Sequence, residues 1–598
     1  MFKELLQEFM NHQVQDTKFD VDTIVIQNYK LKPGLYFRIR ENNETDCYFV
    51  KKSTAPDNDP LVEWFKEADF ASTLIEMNKP IDPKKQIHSN NIYTLFCKHD
   101  VFIGERGINP DLMEHIDRYF DALPKIKDKK SEEILATAGY QPLNTETVEE
   151  CKTKFLNVLD AIKDMIIQYD IKDNSYVKLF LDVSLEKYQY ESGRYLLPRI
   201  FNSNNYNIMM DEQVIGLSNA NMGMNAKKPY LEHKTTQFKV PYRITAEDGV
   251  LLHKFFLWLN GLELEGKTLY TGYIPVGVHL PGLFAVAKDI KVRSSAMYVN
   301  LDRGINVTID DYDFLPRFNN SMDKPIRFKD YFESSNYPSQ KLNKLNEVET
   351  HINLYLYGGH LIRNYYTERV KVTDNLSREL AVQIVTSRDA MHDWLRKGNE
   401  VPIRSCVDKV SMGVLLARLQ NLEYVSALAQ MLNVRLALLN YFNKEENDMG
   451  YVMEETYLSL KDKVLSKNKN EHIACQNSLE FYIAAGQILY YYFSLSEAQK
   501  MHYDVFLRGI VSAKNIQTIK DEHYKYLHKY SYAIDYNNQR FNNMLSIVTS
   551  YAPENEESID RDALLYGFAA NNIIYFKDDD KSKQDNNEVK PDENEGGK

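Results

Sequence analysis

From Thr373 to about Phe576 apolar residues recur at the three-to-four-residue spacing of amphipathic helices, and this long helical run constrains the fold more than any other feature. It opens with TDNLSRELAVQIVTSRDAMHDWLRKG, where Thr373 or Asp374 is the expected N-cap and Gly398 the stop. Further helices are expected at about 421–443, 453–467, 473–495, 497–511, 514–530, 537–551 and 560–575, joined by short polar turns. The stretch FYIAAGQILYYYFSL, Phe481 to Leu495, is almost wholly apolar. It contains Gln487 and is shorter than the roughly 20 residues that cross a bilayer, so it reads as the core helix of a bundle.

A chain of 598 residues exceeds what one hydrophobic core supports, which is about 250 to 300 residues, so it must divide. Residues 1–366 mix strand-like and helical patterns. IVIQNYKLKPGLYFRIR and DCYFVKK alternate as half-buried strands with a turn at Pro33 and Gly34. Residues 367–577 read as an all-α helical bundle, and residues 578–598, nearly devoid of apolar side chains, as a disordered acidic tail. The fold class is therefore α+β, a mixed N-terminal region followed by helices.

The net charge of −12 argues against a surface that coats nucleic acid everywhere, although basic stripes remain compatible with it. Cys47, Cys97, Cys151, Cys406 and Cys475 are too dispersed for a zinc or redox pair and fit reduced, structural thiols. The first residues, MFKELLQEFM, carry Lys3, Glu4 and Glu8 and form no continuous apolar signal region, so a cytoplasmic location is expected.

GLELEGKT, Gly261 to Thr268, fits the phosphate-binding pattern G-x-x-x-x-G-K-[ST]. Such a loop needs a buried strand before it and a helix after it. Here TAEDGVLLHKFFLWLN precedes it as an amphipathic helix opened by Thr245, and Pro275 and Pro281 follow, so helix, turn and strand is the expected order. His99–Asp100 and His392–Asp393 lack neighbouring metal ligands, and Asp311 with Asp313 reads as an exposed strand end. No catalytic centre, metal site or cofactor is expected.

Two polar stretches are rich in Lys, Asn and aromatics instead of acids. MNKPIDPKKQIHSNNIYTLF presents Lys79, Lys84, Lys85, His88, Asn90 and Asn91 on a loop stiffened by Pro80 and Pro83. GLSNANMGMNAKKPYLEHKTTQFKVPYR carries Lys227, Lys228, Lys234 and Arg243 against the single acid Glu232. Lys neutralises phosphates, whereas Asn and Gln read base edges. The competing reading is a chain-wide bias toward Lys and Asn with no binding role.

LIEMNKPIDPKKQIHSNNIYTLF and NMGMNAKKPYLEHKT resemble the two most distinctive segments of the large subunit of type I-B CRISPR interference complexes (Cascade). LIRNYYTERVKVTDNLSREL, LNVRLALLNYF and LLYGFAANNIIYF follow in that family's order. The resemblance implies a non-enzymatic protein that recognises a short flanking motif in target duplex DNA, anchors the guide RNA 5′ end, stabilises the opened duplex and receives a helicase-nuclease. Its partners would be guide RNA, target DNA, the backbone, guide-processing and small subunits, and that nuclease.

On this reading Asn219, Asn221 and Asn225 face bases and Lys227, Lys228 and Lys234 hold phosphate, while Lys79 to Asn91 contact the guide or the DNA backbone. In the bundle, Arg508, Lys514, Lys525, Lys529 and Arg540, interleaved with Tyr524, Tyr526 and Tyr530, would track the displaced strand; a solvated face with inward tyrosines is the alternative. In the family this chain resembles, the same gene often supplies a separate small subunit from an internal start, for which Met449 and Met453 are the candidates here. The rival readings are a P-loop nucleotidase using Gly261 to Thr268 and a scaffold that touches no nucleic acid.

Overall fold

The computed structural model describes residues 2–15, 21–27, 29–51, 59–72, 80–104, 107–126, 128–169, 175–201, 204–217, 237, 243–264, 267–276, 286, 290, 294–304, 307–332, 336–442, 448–466, 473–497, 502–553 and 558–576. The chain is mixed α and β, with a C-terminal region of many helices. It divides into two compact units, one of residues 1–286 and 295–315 and one of residues 287–294 and 316–598.

The first unit contains, short elements aside, α1 (Phe2–Gln15), α2 (Val21–Gln27), β1 (Gly34–Ile39), β2 (Thr45–Val50), α3 (Pro60–Ser72), β3 (Thr94–Lys98), α4 (Leu112–Ala122), α5 (Thr145–Gln168), β4 (Tyr176–Leu181), α6 (Leu185–Leu196) and α7 (Ala246–Gly261). Four strands form a sheet in the order β2-β1-β4-β3, with β1 and β4 parallel and the outer pairs antiparallel. Strand alternation divides its side chains. Leu35, Phe37, Val177 and Leu179 join α4 and α5 in one core, while Tyr36, Phe96 and Phe180 join α3 and α6 in another. With both faces covered, β4 reads as a nearly continuous apolar run. Its one cation, Lys178, is buried against Asp69 at 2.6 Å.

IVIQ, expected as strand, lies in α2. Val21 and Val25, four apart, are its buried residues, so the helical spacing wins over β-branched propensity. Likewise Gly34 begins β1, and the chain reverses at residues 41–43 between β1 and β2.

The second unit contains β10 (Ser321–Phe328) and β11 (Gln340–Lys344), α8 (Leu345–Tyr355), α9 (Arg378–Lys397), α10 (Val407–Arg418), α11 (Val425–Phe442), α12 (Met449–Leu465), α13 (Ser478–Ser494), α14 (Tyr503–Val511), α15 (Ile516–Lys529), α16 (Gln539–Ser550) and α17 (Arg561–Ala569). Strands β5 to β9 come between α7 and β10 in the chain: β5 (Glu263–Leu264), β6 (Lys267–Thr268), β7 (Thr271–Pro275), β8 (Ser294–Arg303) and β9 (Val307–Phe318). The second unit's main part, from Pro316 onward, includes residues before the expected 366/367 division, because the hairpin β10–β11 and α8 are bonded to the helices. Tyr331 N–H donates to Asn433 at 3.1 Å, and Arg396 pairs with Glu349 at 2.6 Å.

Helix α9 is capped by Ser377, whose hydroxyl accepts the Leu380 N–H at 3.1 Å; neither Thr373 nor Asp374 serves. It ends at Gly398, whose φ of 73° is the left-handed stop that glycine adopts at little cost. Helix α13 is buried on nearly every side, as its composition demands. It meets α17 through two glycines: a Cβ on Gly486 would lie 2.2 Å from Leu564 O, and one on Gly567 would lie 2.1 Å from Ile483 O. The buried Gln487 amide is satisfied at this seam, its carbonyl accepting the Ile573 N–H at 2.8 Å and its NH₂ donating to Gly567 O. Arg435 of α11 locks the neighbouring helices, donating to Asp562 of α17 at 2.6 and 2.7 Å and to Ser411 of α10 at 2.7 Å. Among the described residues no helix is long and apolar enough to cross a membrane. The expected tail, 578–598, lies outside the described residues.

Candidate nucleic-acid interface

The loop that leads into β3 is organised around Asp82, which is fully buried. Its carboxylate accepts the backbone N–H groups of Lys84 at 3.1 Å, Gln86 at 2.7 Å and Ile87 at 3.0 Å. It also accepts Arg118 Nε at 2.7 Å and Nη2 at 3.2 Å. Burial alone would raise its pKa, but Arg118 and the three N–H groups outweigh it and hold the group at about 2. A turn tucked against the protein needs partners for its backbone, and the Asp82 side chain supplies them.

Asn90 and Asn91 do the same on the other side of the turn. Asn90 Oδ1 accepts the Ile81 N–H at 3.0 Å. Asn91 Nδ2 donates to Tyr188 O at 2.8 Å and Ser192 Oγ at 3.1 Å, while its Oδ1 accepts the Tyr93 N–H at 3.1 Å. Both are buried, so the expectation that they contact guide or DNA is overturned: their amides are consumed in bracing the entry to β3. His88 is half-buried, with Nδ1 2.9 Å from Tyr176 OH and Nε2 3.1 Å from Lys85 O; burial lowers its pKa and favours the neutral ring. Lys84 and Lys85 are exposed, Lys84 lying 3.2 Å from Glu114, and Lys85 adopts φ 56° at the turn's apex. Among the described residues of this stretch, the exposed cations are therefore Lys84 and Lys85. Lys79 lies outside the described residues, as do Asn219, Asn221, Asn225, Lys227, Lys228 and Lys234.

Helix α15 has two faces. Ile516, Ile519 and His523 are its buried residues, and the opposite side exposes Tyr524, Lys525, His528 and Lys529. Lys525 and Lys529, four apart, share this side. Lys525 pairs with Glu522, and Arg508 on α14 pairs with Asp504 at 3.1 Å while remaining 70% exposed. Lys514 is exposed. Arg540 is half-buried and donates to Phe576 O, a bond that leaves it tethered to the chain's own backbone. Tyr526 stacks on Phe506 with centroids 4.2 Å apart, and Tyr530 is buried, so neither offers a face to a base. Along α15 and just after it, the exposed aromatics are Tyr524, Tyr532 and Tyr536. The last two escape sequence reading because they follow the helix, where its period no longer indicates which side faces water.

GLELEGKT begins at the last residue of α7. Thr245 caps that helix, accepting the Asp248 N–H at 3.1 Å. β5 then pairs antiparallel with β6, and β7 follows. Helix before and strands after is the reverse of the phosphate-binding arrangement, so no helix N-terminus stands behind Lys267. All five cysteines are free. Among the described residues no group of three or more His, Cys, Asp or Glu could hold a metal ion. No family model, curated protein or solved structure matches the chain.

Proposed function

We propose that this chain is the non-catalytic large subunit of a type I-B CRISPR RNA-guided surveillance complex. In this role it recognises the flanking motif in target DNA, anchors the guide 5′ handle, stabilises the opened duplex and recruits the helicase-nuclease. The sequence segments that resemble that family support the reading. The structural observation that favours it is the solvent side of α15, where Lys525 and Lys529 share one face away from the buried residues and Tyr524 is exposed on its flank. Lysines at one-turn spacing beside an exposed ring suit a single strand, since the cations neutralise phosphates while the ring stacks on a base.

The test is reconstitution with guide and partner subunits, binding to a matched target whose flanking bases are randomised, and sequencing of the bound DNA. Enrichment of one short flank, lost when residues 219–228 are altered, is expected. Asn225→Ala should cost about 1 to 3 kcal/mol at one motif position, and Lys228→Ala should weaken all flanks alike. Tight binding without flank preference overturns the motif-reading role.

A further inference from the structure

A cleft of about 820 Å³ opens in the second unit between the turn after α8, the start of α9 and the junction of α10 with α11. Arg363, Arg369, Lys371 and Arg418 line it against the single carboxylate of Glu423. Arg369 and Lys371 are exposed, and neither has an ion-pair partner among the described residues. Some surface cations of this unit are paired, Lys525 with Glu522, Arg404 with Glu400 and Arg508 with Asp504, while Lys514 and Lys529, like Arg369 and Lys371, are exposed without an ion pair among the described residues; what sets the cleft apart is that its cations share one concavity. Positive charge left uncompensated and concentrated in a concavity focuses potential on an anion.

Arg418 is held from behind. Its Nη1 donates to Tyr355 O at 2.6 Å and Leu356 O at 3.1 Å, the free carbonyls at the end of α8. A Cβ on Gly358 would sit 3.2 Å from this guanidinium, so glycine there makes room for it. Tyr424 also lines the cleft and is 69% exposed, so its ring is open to a stacking partner. Fixed guanidinium, unpaired cations and an open ring are the three components of a nucleotide-strand site.

We propose that this cleft binds the phosphodiester backbone of a single-stranded nucleic acid, with an unpaired base stacked on Tyr424. The site is separate from the α15 surface, and the choice of a nucleic acid as ligand rests on the function proposed above. A paired base would hide the face that Tyr424 needs, which selects a single strand over a duplex.

The test is fluorescence anisotropy of a labelled oligothymidylate with the full chain across a salt series. Arg369→Ala with Lys371→Ala should weaken binding about tenfold at low salt and reduce the slope of log K against log salt by about 1.4, the amount for two phosphates of a single strand. Tyr424→Ala should cost about 5- to 100-fold with the slope unchanged. Tyr424→Trp should show indole quenching on binding, a readout independent of affinity. Wild-type affinity and slope in the cleft variants overturn the proposal; if Lys525→Ala with Lys529→Ala then loses affinity, the function above stands without it. Displacement of the oligonucleotide by inorganic phosphate, but not by chloride at matched ionic strength, assigns a free-anion site and overturns the strand. Absence of any binding by the unaltered chain overturns both readings.

Discussion

Asp82 and Asn91 show how far a polar residue's role depends on where its side chain turns. The folded pKa of Asp82, about 2, lies below the unfolded carboxylate value, so the unfolded chain takes up the proton first as the solution is acidified. Its contribution of about 2 kcal/mol is full above about pH 4 and disappears between there and pH 2. Asp82→Asn should abolish that segment of the acid-unfolding profile in urea titrations taken at successive pH values, and lower stability at pH 7. Asn91→Ala would leave the Tyr93 N–H and Ser192 side chain without a partner. A loss of about 2 kcal/mol is expected from the denaturation midpoint, with oligonucleotide affinity unchanged in the folded fraction. His523 follows the opposite chemistry with the same pH direction. Buried, with neither ring nitrogen hydrogen-bonded to the protein, it is held neutral down to about pH 3. Protonating it favours unfolding, so its penalty grows as pH falls from about 6.5 to 3; His523→Phe should flatten stability across that window.

At the scale of elements, the helices were legible where their apolar spacing persisted and their burial was extensive: α13, α15 and α16 fall inside the stretches read from periodicity. Helix α10 escapes because VDKVSMGVLLAR lies in a short, weakly patterned stretch. The loop before β3 was misread for a different reason. Sequence gives the residue types, but the partner that turns the loop inward, Arg118, lies on α4. The α13–α17 seam yields a sharper test. Gly486→Ala or Gly567→Ala places a methyl within about 2.2 Å of a backbone carbonyl that no rotamer change can move. Either should cost about 1 to 3 kcal/mol or more, measured as a lower Tm, since the helices must separate. By contrast Lys525→Ala with Lys529→Ala, at exposed positions, should leave Tm within about a degree or two and act only on the salt dependence of binding.

For the whole molecule, the question is what an internally started product would contain. A chain beginning at Met453 keeps α13 to α17 but loses the first turn of α12, its Asp448 cap and all of α11. Asp562 would then be deprived of Arg435, and truncating one partner of such a buried pair costs about 3 to 5 kcal/mol. The 453–598 fragment should therefore unfold at lower denaturant than the same helices in the intact chain, and Asp562→Asn should restore part of the difference; equal midpoints would show that the bundle stands without α11.

The glycine seam also bears on how the protein is made. Translation delivers α13 long before α17, so Ile483 and Leu489 must wait in water while the intervening helices emerge. Because the contact is backbone against backbone, no side chain of α14, α15 or α16 can stand in for α17 at that groove. Synthesis thus leaves the α13 side of this seam open until Gly567 has emerged, an interval in which its uncovered apolar surface favours misassembly.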